Sequence, residues 1–226
     1  YFILNGVGYQ PLTQYDINTS STKETVINAK LLNDNYSVKL IDQKISALGN
    51  RSLREVFENN NEIVNPELST TNGWGEVVSV SGGVGTIVNV SGFNNGFATQ
   101  DRTFVSGNKY YARARMRTLG ADTILLSIRA FGRTVVDLSN PVINKWYDLS
   151  GTWNGKETDT SIRFRGQTAS VTAQTYEFTK PLLLNLTSLG IDTLTKQDLD
   201  FYYNQYLILK EQGEVGLVVS KAERKQ

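Results

Sequence analysis

"YYARARMRTLGADTILLSIRAFGRT", Tyr110 to Thr134, decides the fold. Apolar and polar residues alternate with a period of two on both sides of a Gly-containing break, which is the pattern of half-buried strands and not of helices. On the first strand Tyr111, Arg113, Arg115 and Arg117 share one face, and Ala112, Ala114 and Met116 share the other. The apolar set must face a core, so the arginines face outward. On the second strand Ile124, Leu126, Ile128 and Ala130 form the core set, which puts Arg129 and Phe131 outside. "SIRFRG" repeats the arrangement, with Ile162 and Phe164 inward and Arg163 and Arg165 outward.

The same period extends from Pro66 to Leu186. "EVVSVSG", "GTIVNVSG", "TVVDLS", "KWYDLSGTW", "TSIRFRGQ" and "QTYEFTKPLLLNL" are bounded by Gly, Asn, Asp and Pro, with no helical stretch between them. Strands at this spacing predict an antiparallel sandwich or jelly roll, not alternating β and α units. "SGGVGTIVNVSGFNNG" is Gly-rich, but no helix follows and no Lys stands where a phosphate loop needs one, so it reads as turn sequence between strands.

The flanks change character. Residues 1–22 read as a hairpin or extended arm. In "YSVKLIDQKISALGN", Val38, Ile41, Ile45 and Leu48 recur at spacings of three, four and three, the seam of a short coiled-coil-like helix. So short a helix is marginal alone, and its stripe must pack on the rest of this chain or on copies of itself. "SLREVFENN" follows as a shorter helix with Leu53, Val56 and Phe57 on one face. At the other end Thr195 and Asp198 form a capping box that opens a helix with Leu199, Tyr202, Tyr203, Tyr206 and Leu209 on one face. The expected division is an arm and oligomerisation helix over 1–64, a β-sandwich over 65–191, and a helix and tail over 192–226.

Composition narrows the function classes. The chain has 226 residues, 39% of them hydrophobic and 20% charged, and no apolar run approaches the roughly 20 residues that span a bilayer. Its 23 basic and 22 acidic residues leave a net charge of +1, so no global field draws in nucleic acid, and any electrostatic specificity is local. There is no Cys and no His, which removes disulfides, thiolate chemistry, the commonest general base and the usual zinc ligand. The Asp and Glu residues are scattered and not gathered into the carboxylate pair of a glycosidase. A non-catalytic protein without cofactor is expected. The chain opens at Tyr1 without Met or a signal-like region, as a processed or internal fragment does.

The outward arginines then carry the functional reading. If their strands are neighbours in one sheet, Tyr111, Arg113, Arg115, Arg129, Phe131, Arg163 and Arg165 form a continuous basic and aromatic surface. Guanidinium forks suit phosphate, carboxylate and sugar hydroxyls, and aromatic faces stack on sugar rings. The competing reading is a solvated sheet face whose arginines pair with Asp and Glu across strands. Trp74, in the loop "NGWG", is a further candidate for stacking on sugar, whereas Trp146 in "NKWYDLSG" reads as an anchor of the core or an edge.

The stretch from Asn65 to Tyr203 resembles a known type, the carbohydrate-binding-module-like jelly-roll domains of minor structural and tail proteins of bacteriophages that infect Gram-positive bacteria. The likeness lies in "NPELSTTNGWGEV", "VSGNKYYARARMRT", "NKWYDLSGTW", "TSIRFRG" and, most specifically, "YEFTKPLLLNLTSLGIDTLTKQDLDFYY". The resemblance implies a two-sheet jelly roll without catalysis, a virion location in tail, baseplate or fibre, other virion proteins as neighbours, and a host-surface glycan as ligand. It also implies a homotrimer, which would give the seam of Val38, Ile41, Ile45 and Leu48 its partner. Cell-wall polysaccharide or phosphate-rich teichoic acid would suit the arginine face. The alternative is a structural virion module that packs on its neighbours and binds no sugar. Related modules often hold calcium near the first and last strands. Glu67 suits the first position, but Thr179 and Lys180 stand where an acidic residue is needed, so no metal is expected.

Overall fold

The structure is a computed structural model that describes residues 48, 51–77, 79–89, 95–169 and 173–211. The chain divides into two compact units, Arg54–Asn204 and Tyr1–Leu53 with Gln205–Gln226. The first unit is a sandwich of two antiparallel sheets. One has five strands in the order β1 (Ser79–Ser81), β2 (Val84–Val88), β9 (Thr175–Asn185), β4 (Lys109–Thr118) and β7 (Tyr147–Asn154). The other has four, in the order β3 (Asn95–Asp101), β8 (Ser161–Thr168), β5 (Thr123–Ala130) and β6 (Arg133–Ser139).

The core lies between the sheets and is built by the inward parity of the opening stretch. Ala112, Ala114 and Met116 of β4 and Leu126, Ile128 and Ala130 of β5 are fully buried. Phe164 of β8 and Phe178 of β9 meet across the sheets as stacked rings 5.5 Å apart. Ile124 departs from the expected core set and is exposed. The register with β8 shifts between Thr123 and Leu125, and Thr123 is the residue buried there. Such a slip by one residue exchanges the two faces of a strand.

β3 was not among the expected strands. Its sequence "NGFATQD" lacks the branched and aromatic density of a strand, yet it pairs with β8 from Asn95↔Gln167 to Asp101↔Ser161. Gly96 faces Gly166 in that register, and the Tyr176 ring stands against both glycines. A Cβ on either would crowd the ring, so the two glycines form a slot for it.

β9 reverses its faces midway. Lys180 has φ 51°, Pro181 follows, and the register with β4 shifts between Arg113 and Arg115. Before this bulge Tyr176 and Phe178 point into the core; after it Leu183 does, and Leu182 and Leu184 come opposite Arg113 and Tyr111 on the outer face. Both outer leucines are nevertheless buried. A strand covered on both sides reads as a continuous apolar run, which accounts for "PLLLNL".

The cover is helix α1 (Lys196–Glu211), of which residues up to Asn204 belong to the sandwich unit. Its capping box forms as expected: Thr195 Oγ1 donates to Asp198 Oδ2 at 2.6 Å, and the Asp198 N–H donates back to Thr195 Oγ1 at 3.2 Å. Leu199, Tyr202, Tyr203 and Tyr206 are buried. "SLREVFENN" contains a π-helical turn, Glu55–Asn59, whose Phe57 meets Tyr203 edge to face at 5.4 Å. In the second unit Leu48 is a buried turn residue. Val38, Ile41 and Ile45, the expected arm and the tail beyond residue 211 lie outside the described residues.

Candidate functional site

The expected continuous arginine surface does not exist. β4 belongs to the five-stranded sheet, whereas β5 and β8 belong to the four-stranded one, so the arginines split between opposite outer faces. The cause is the link Leu119–Asp122, which crosses between sheets instead of closing a hairpin. Thr118 Oγ1 accepts from the Gly120 N–H at 3.0 Å, and Thr123 Oγ1 donates to the Gly120 carbonyl at 3.1 Å, which pins the corner.

On the five-stranded sheet the arginines are neutralised. Arg113 is buried and holds Asp200 of α1 and Asp148 of β7, each at 3.1 Å, and its guanidinium lies 4.7 Å from the centre of the Tyr203 ring. Tyr111 is fully buried and donates to Asp200 Oδ1 at 2.7 Å. Burial pushes the Asp200 carboxyl up, but hydrogen bonds from Lys196, Tyr111 and Ser150 outweigh that and hold it below the ordinary aspartate range. Arg115 pairs with Asp148 at 3.7 Å and Arg117 with Glu177 at 2.6 Å. Trp146 lies under the same pair, 4.6 Å from the Arg117 guanidinium. Tyr111 and Arg113 are therefore corrected from ligand-facing residues to the anchor of α1. Arg115 stays half exposed, on the sheet opposite the other candidates.

Trp74 is also corrected. It is 7% exposed and packs in the core against Phe164 at 5.8 Å and Phe178 at 5.0 Å. Asn65 turns the loop inward: its side chain accepts from the Ser69 N–H and hydroxyl, and its carbonyl accepts from the indole N–H. The loop is thus folded around the tryptophan instead of presenting it.

The four-stranded sheet keeps the remaining candidates together. Arg129 of β5 is the register partner of Arg163 of β8, Ser127 of Arg165, and Phe97 of β3 of Arg165 from the other side. The Arg163 guanidinium lies between two rings, 5.4 Å from the centre of Phe97 and 4.9 Å from that of Phe131. Phe131 occupies the tight turn between β5 and β6 with φ 49°, and the residue is 46% exposed. A bulky side chain in left-handed backbone is strained, and such strain persists where surrounding structure or use holds it. Arg165 is nearly buried and donates to Asn95 Oδ1 at 2.8 Å and to Gln167 Oε1 at 2.7 Å. Among the described residues no ion pair involves Arg129, Arg163 or Arg165.

Phe97, Asn95 and Gln167 complete this face and were not foreseen, because β3 was not read as a strand. The register of "NGFATQD" as an alternation, with Gly96 and Ala98 inward and Phe97 and Thr99 outward, was the available signal. The residues at the supposed calcium position do not fit a cation. Thr179 spends its hydroxyl on the Gly83 carbonyl at 2.6 Å, and Lys180 adds a positive charge.

No protein-family model matches the chain, and no curated protein sequence matches it. Among solved structures it is similar to a family 4 carbohydrate-binding module, with 12% identity and TM-score 0.40 over 54% of this chain and 99% of that one. It is similar to a family 16 carbohydrate-binding module, with 15% identity and TM-score 0.37 over 55% of this chain and 99% of that one. The N-terminal cellulose-binding domain of a β-1,4-glucanase C from Cellulomonas fimi is a third, with 13% identity and TM-score 0.34 over 48% of this chain and 82% of that one. All three neighbours are carbohydrate-binding or cellulose-binding domains.

Proposed function

We propose that this chain is a non-catalytic carbohydrate-binding β-sandwich whose ligand lies across the outer face of the four-stranded sheet, on Phe97, Phe131, Arg129, Arg163 and Arg165. The carrying observation is Arg163, a cation set against two rings, one of them belonging to an exposed residue on a strained turn, and in no ion pair among the described residues. Aromatic rings offer apolar surface to the C–H side of a sugar, and guanidinium forks beside them take its oxygens.

The virion setting is the finer part of the proposal and rests on the resemblance of residues 65–203 to bacteriophage tail and minor structural domains. In it the chain serves a tail, baseplate or fibre, acts at the host surface, and assembles as a homotrimer through Val38, Ile41 and Ile45, Leu48 being already buried in a turn of its own chain. The ligand is then host cell-wall polysaccharide or teichoic acid, and three copies add avidity without new contacts.

The test is binding of the full chain to purified wall polymers and to an array of neutral and charged glycans. Arg163→Gln is expected to weaken the retained ligand at least about tenfold, which is about 1.4 kcal/mol. Arg117→Gln, on the opposite sheet, is expected to leave it unchanged. Equal loss in both variants moves the site elsewhere, and failure of the unaltered chain to bind any glycan refutes the proposal.

A further inference from the structure

The four-stranded face holds three guanidinium groups at adjoining register positions. Arg129 and Arg163 are direct cross-strand partners, and Arg165 follows two residues along β8 opposite Ser127. Like charges placed directly opposite each other destabilise a sheet, and natural sheets usually answer them with carboxylates. The other face of this sandwich does so, with Asp148, Asp200 and Glu177 set against Arg113, Arg115 and Arg117.

Here the described partners are neutral. Arg129 Nη2 donates to Thr134 Oγ1 at 2.7 Å, Arg163 Nε to Ser161 Oγ at 3.1 Å, and Arg165 to the amide oxygens of Asn95 and Gln167. Burial, and then the like charge of Arg129, lower the pKa of the Arg165 guanidinium, and Asp137 of β6, the register partner of Ser127, opposes them without forming an ion pair with any of the three arginines among the described residues. Two polar atoms on this face are buried and without a partner, Arg129 Nε and the hydroxyl of Ser127, which is itself fully buried; Arg113 Nε and Arg115 Nε on the other face are orphaned in the same way, so the Ser127 hydroxyl is what sets this face apart. An unmade hydrogen bond at a buried hydroxyl is costly, and one set beside three guanidinium groups that make no ion pair among the described residues describes a site waiting for an acceptor.

We infer that this face is an oxyanion subsite: the glycan it binds carries a carboxylate or a phosphate, seated on Arg129, Arg163, Arg165 and Ser127, while Phe97 and Phe131 hold the adjoining sugar ring. The inference rests on the carbohydrate reading above and names the charge class of its ligand. Forked guanidinium donors match the paired oxygens of either anion, and charge-assisted bonds are roughly twice as strong as neutral ones. A neutral glycan leaves the three cations and the Ser127 hydroxyl unanswered, so the subsite selects against it.

The full chain is titrated by calorimetry with polygalacturonate, with the same polymer fully methyl-esterified, and with poly(glycerol phosphate). The ester removes charge and keeps the backbone, so the comparison does not depend on any variant folding. The expected result is at least about tenfold tighter binding of one charged polymer than of the ester, a preference that falls with added salt. Which charged polymer is retained distinguishes carboxylate from phosphate. Arg129→Gln, at a half-exposed position, is expected to abolish the preference with the far-ultraviolet circular dichroism unchanged. Binding of the ester as tightly as of both charged polymers overturns the inference and leaves the carbohydrate reading standing. Binding of none of the three together with no hit on the glycan array overturns both, and so does retention of a single-stranded oligonucleotide in preference to every polymer.

Discussion

Replacing Phe131 by Asn separates the demands of the fold from those of the ligand. Phe131 sits at φ 49° with 46% of its surface exposed. A side chain other than Gly or Asn in left-handed backbone costs about 1–2 kcal/mol, and Asn recovers part of that because it tolerates the region. Against the gain stands the contact with Arg163 at 4.9 Å, worth about 0.5–1 kcal/mol at an exposed site. The two nearly cancel, so the variant should unfold within about 1 kcal/mol of the parent, a shift of roughly 2–4 °C or less for a unit of this size. Binding should behave differently. An aromatic side chain carries about 150–250 Å² of surface, so the exposed part offers on the order of 100 Å² to a ligand, or about 2.5 kcal/mol of apolar burial. Allowing for incomplete coverage, the loss is about 2 kcal/mol, roughly thirtyfold in Kd. Calorimetric unfolding and titration on the same preparation measure both numbers. A variant that loses more than about 2 kcal/mol of stability while binding its glycan unchanged would show that Phe131 packs the hairpin and that the strain has no functional meaning.

Two further outcomes concern the scaffold. Asp200 has its folded-state pKa held below the ordinary range, so its carboxylate stabilises the fold fully above the unfolded value and loses that contribution as pH falls through the folded one. Asp200→Asn is therefore expected to cost about 1–3 kcal/mol at pH 7, with the deficit shrinking below about pH 4; a deficit that stays constant across an acid titration followed by Tyr fluorescence refutes the assignment. Gly166→Ala places a methyl against the Tyr176 ring, which the paired Gly96 keeps from shifting away. Overpacking of this kind costs about 1–3 kcal/mol, so the thermal midpoint should fall by several degrees, and an unchanged midpoint would mean that the slot is loose.

Much of the architecture was legible because burial on one side of a strand writes itself into parity. Ala112, Ala114, Met116, Leu126, Ile128, Ile162 and Phe164 declare the core, and the Thr195 and Asp198 pair declares the start of α1. Two features escaped for physical reasons. "NGFATQD" makes a strand although its inward residues are Gly96 and Ala98, because the space above them is filled by a ring from β9, a distant part of the chain. The allocation of β4 and β5 to different sheets is likewise invisible locally, since a hairpin and a corner both need only a short polar turn between alternating runs. The site inherits that ambiguity. Outward parity was right for every arginine, but whether outward means solvent, helix or ligand is decided by elements far along the chain, as Asp200 decides it for Arg113.

The net charge of +1 conceals an uneven partition of counter-charges. Around Arg113, Arg115 and Arg117 the fold brings Asp148, Asp200 and Glu177, so that face closes electrostatically upon itself and serves to seat α1. Around Arg129, Arg163 and Arg165 it brings Thr134, Ser161, Asn95 and Gln167, acceptors that orient a guanidinium without neutralising it. Stability alone favours the first arrangement, because a carboxylate in place of Thr134 or Gln167 would relieve the repulsion between Arg129 and Arg163 or the burial of Arg165. Orientation without neutralisation is what an anion-binding surface requires: the donors are fixed before the ligand arrives, and the carboxylate on this face, Asp137 opposite Ser127, forms no ion pair with them among the described residues. The two rows begin from the same residue and the same parity, and only the second is left with charge to offer.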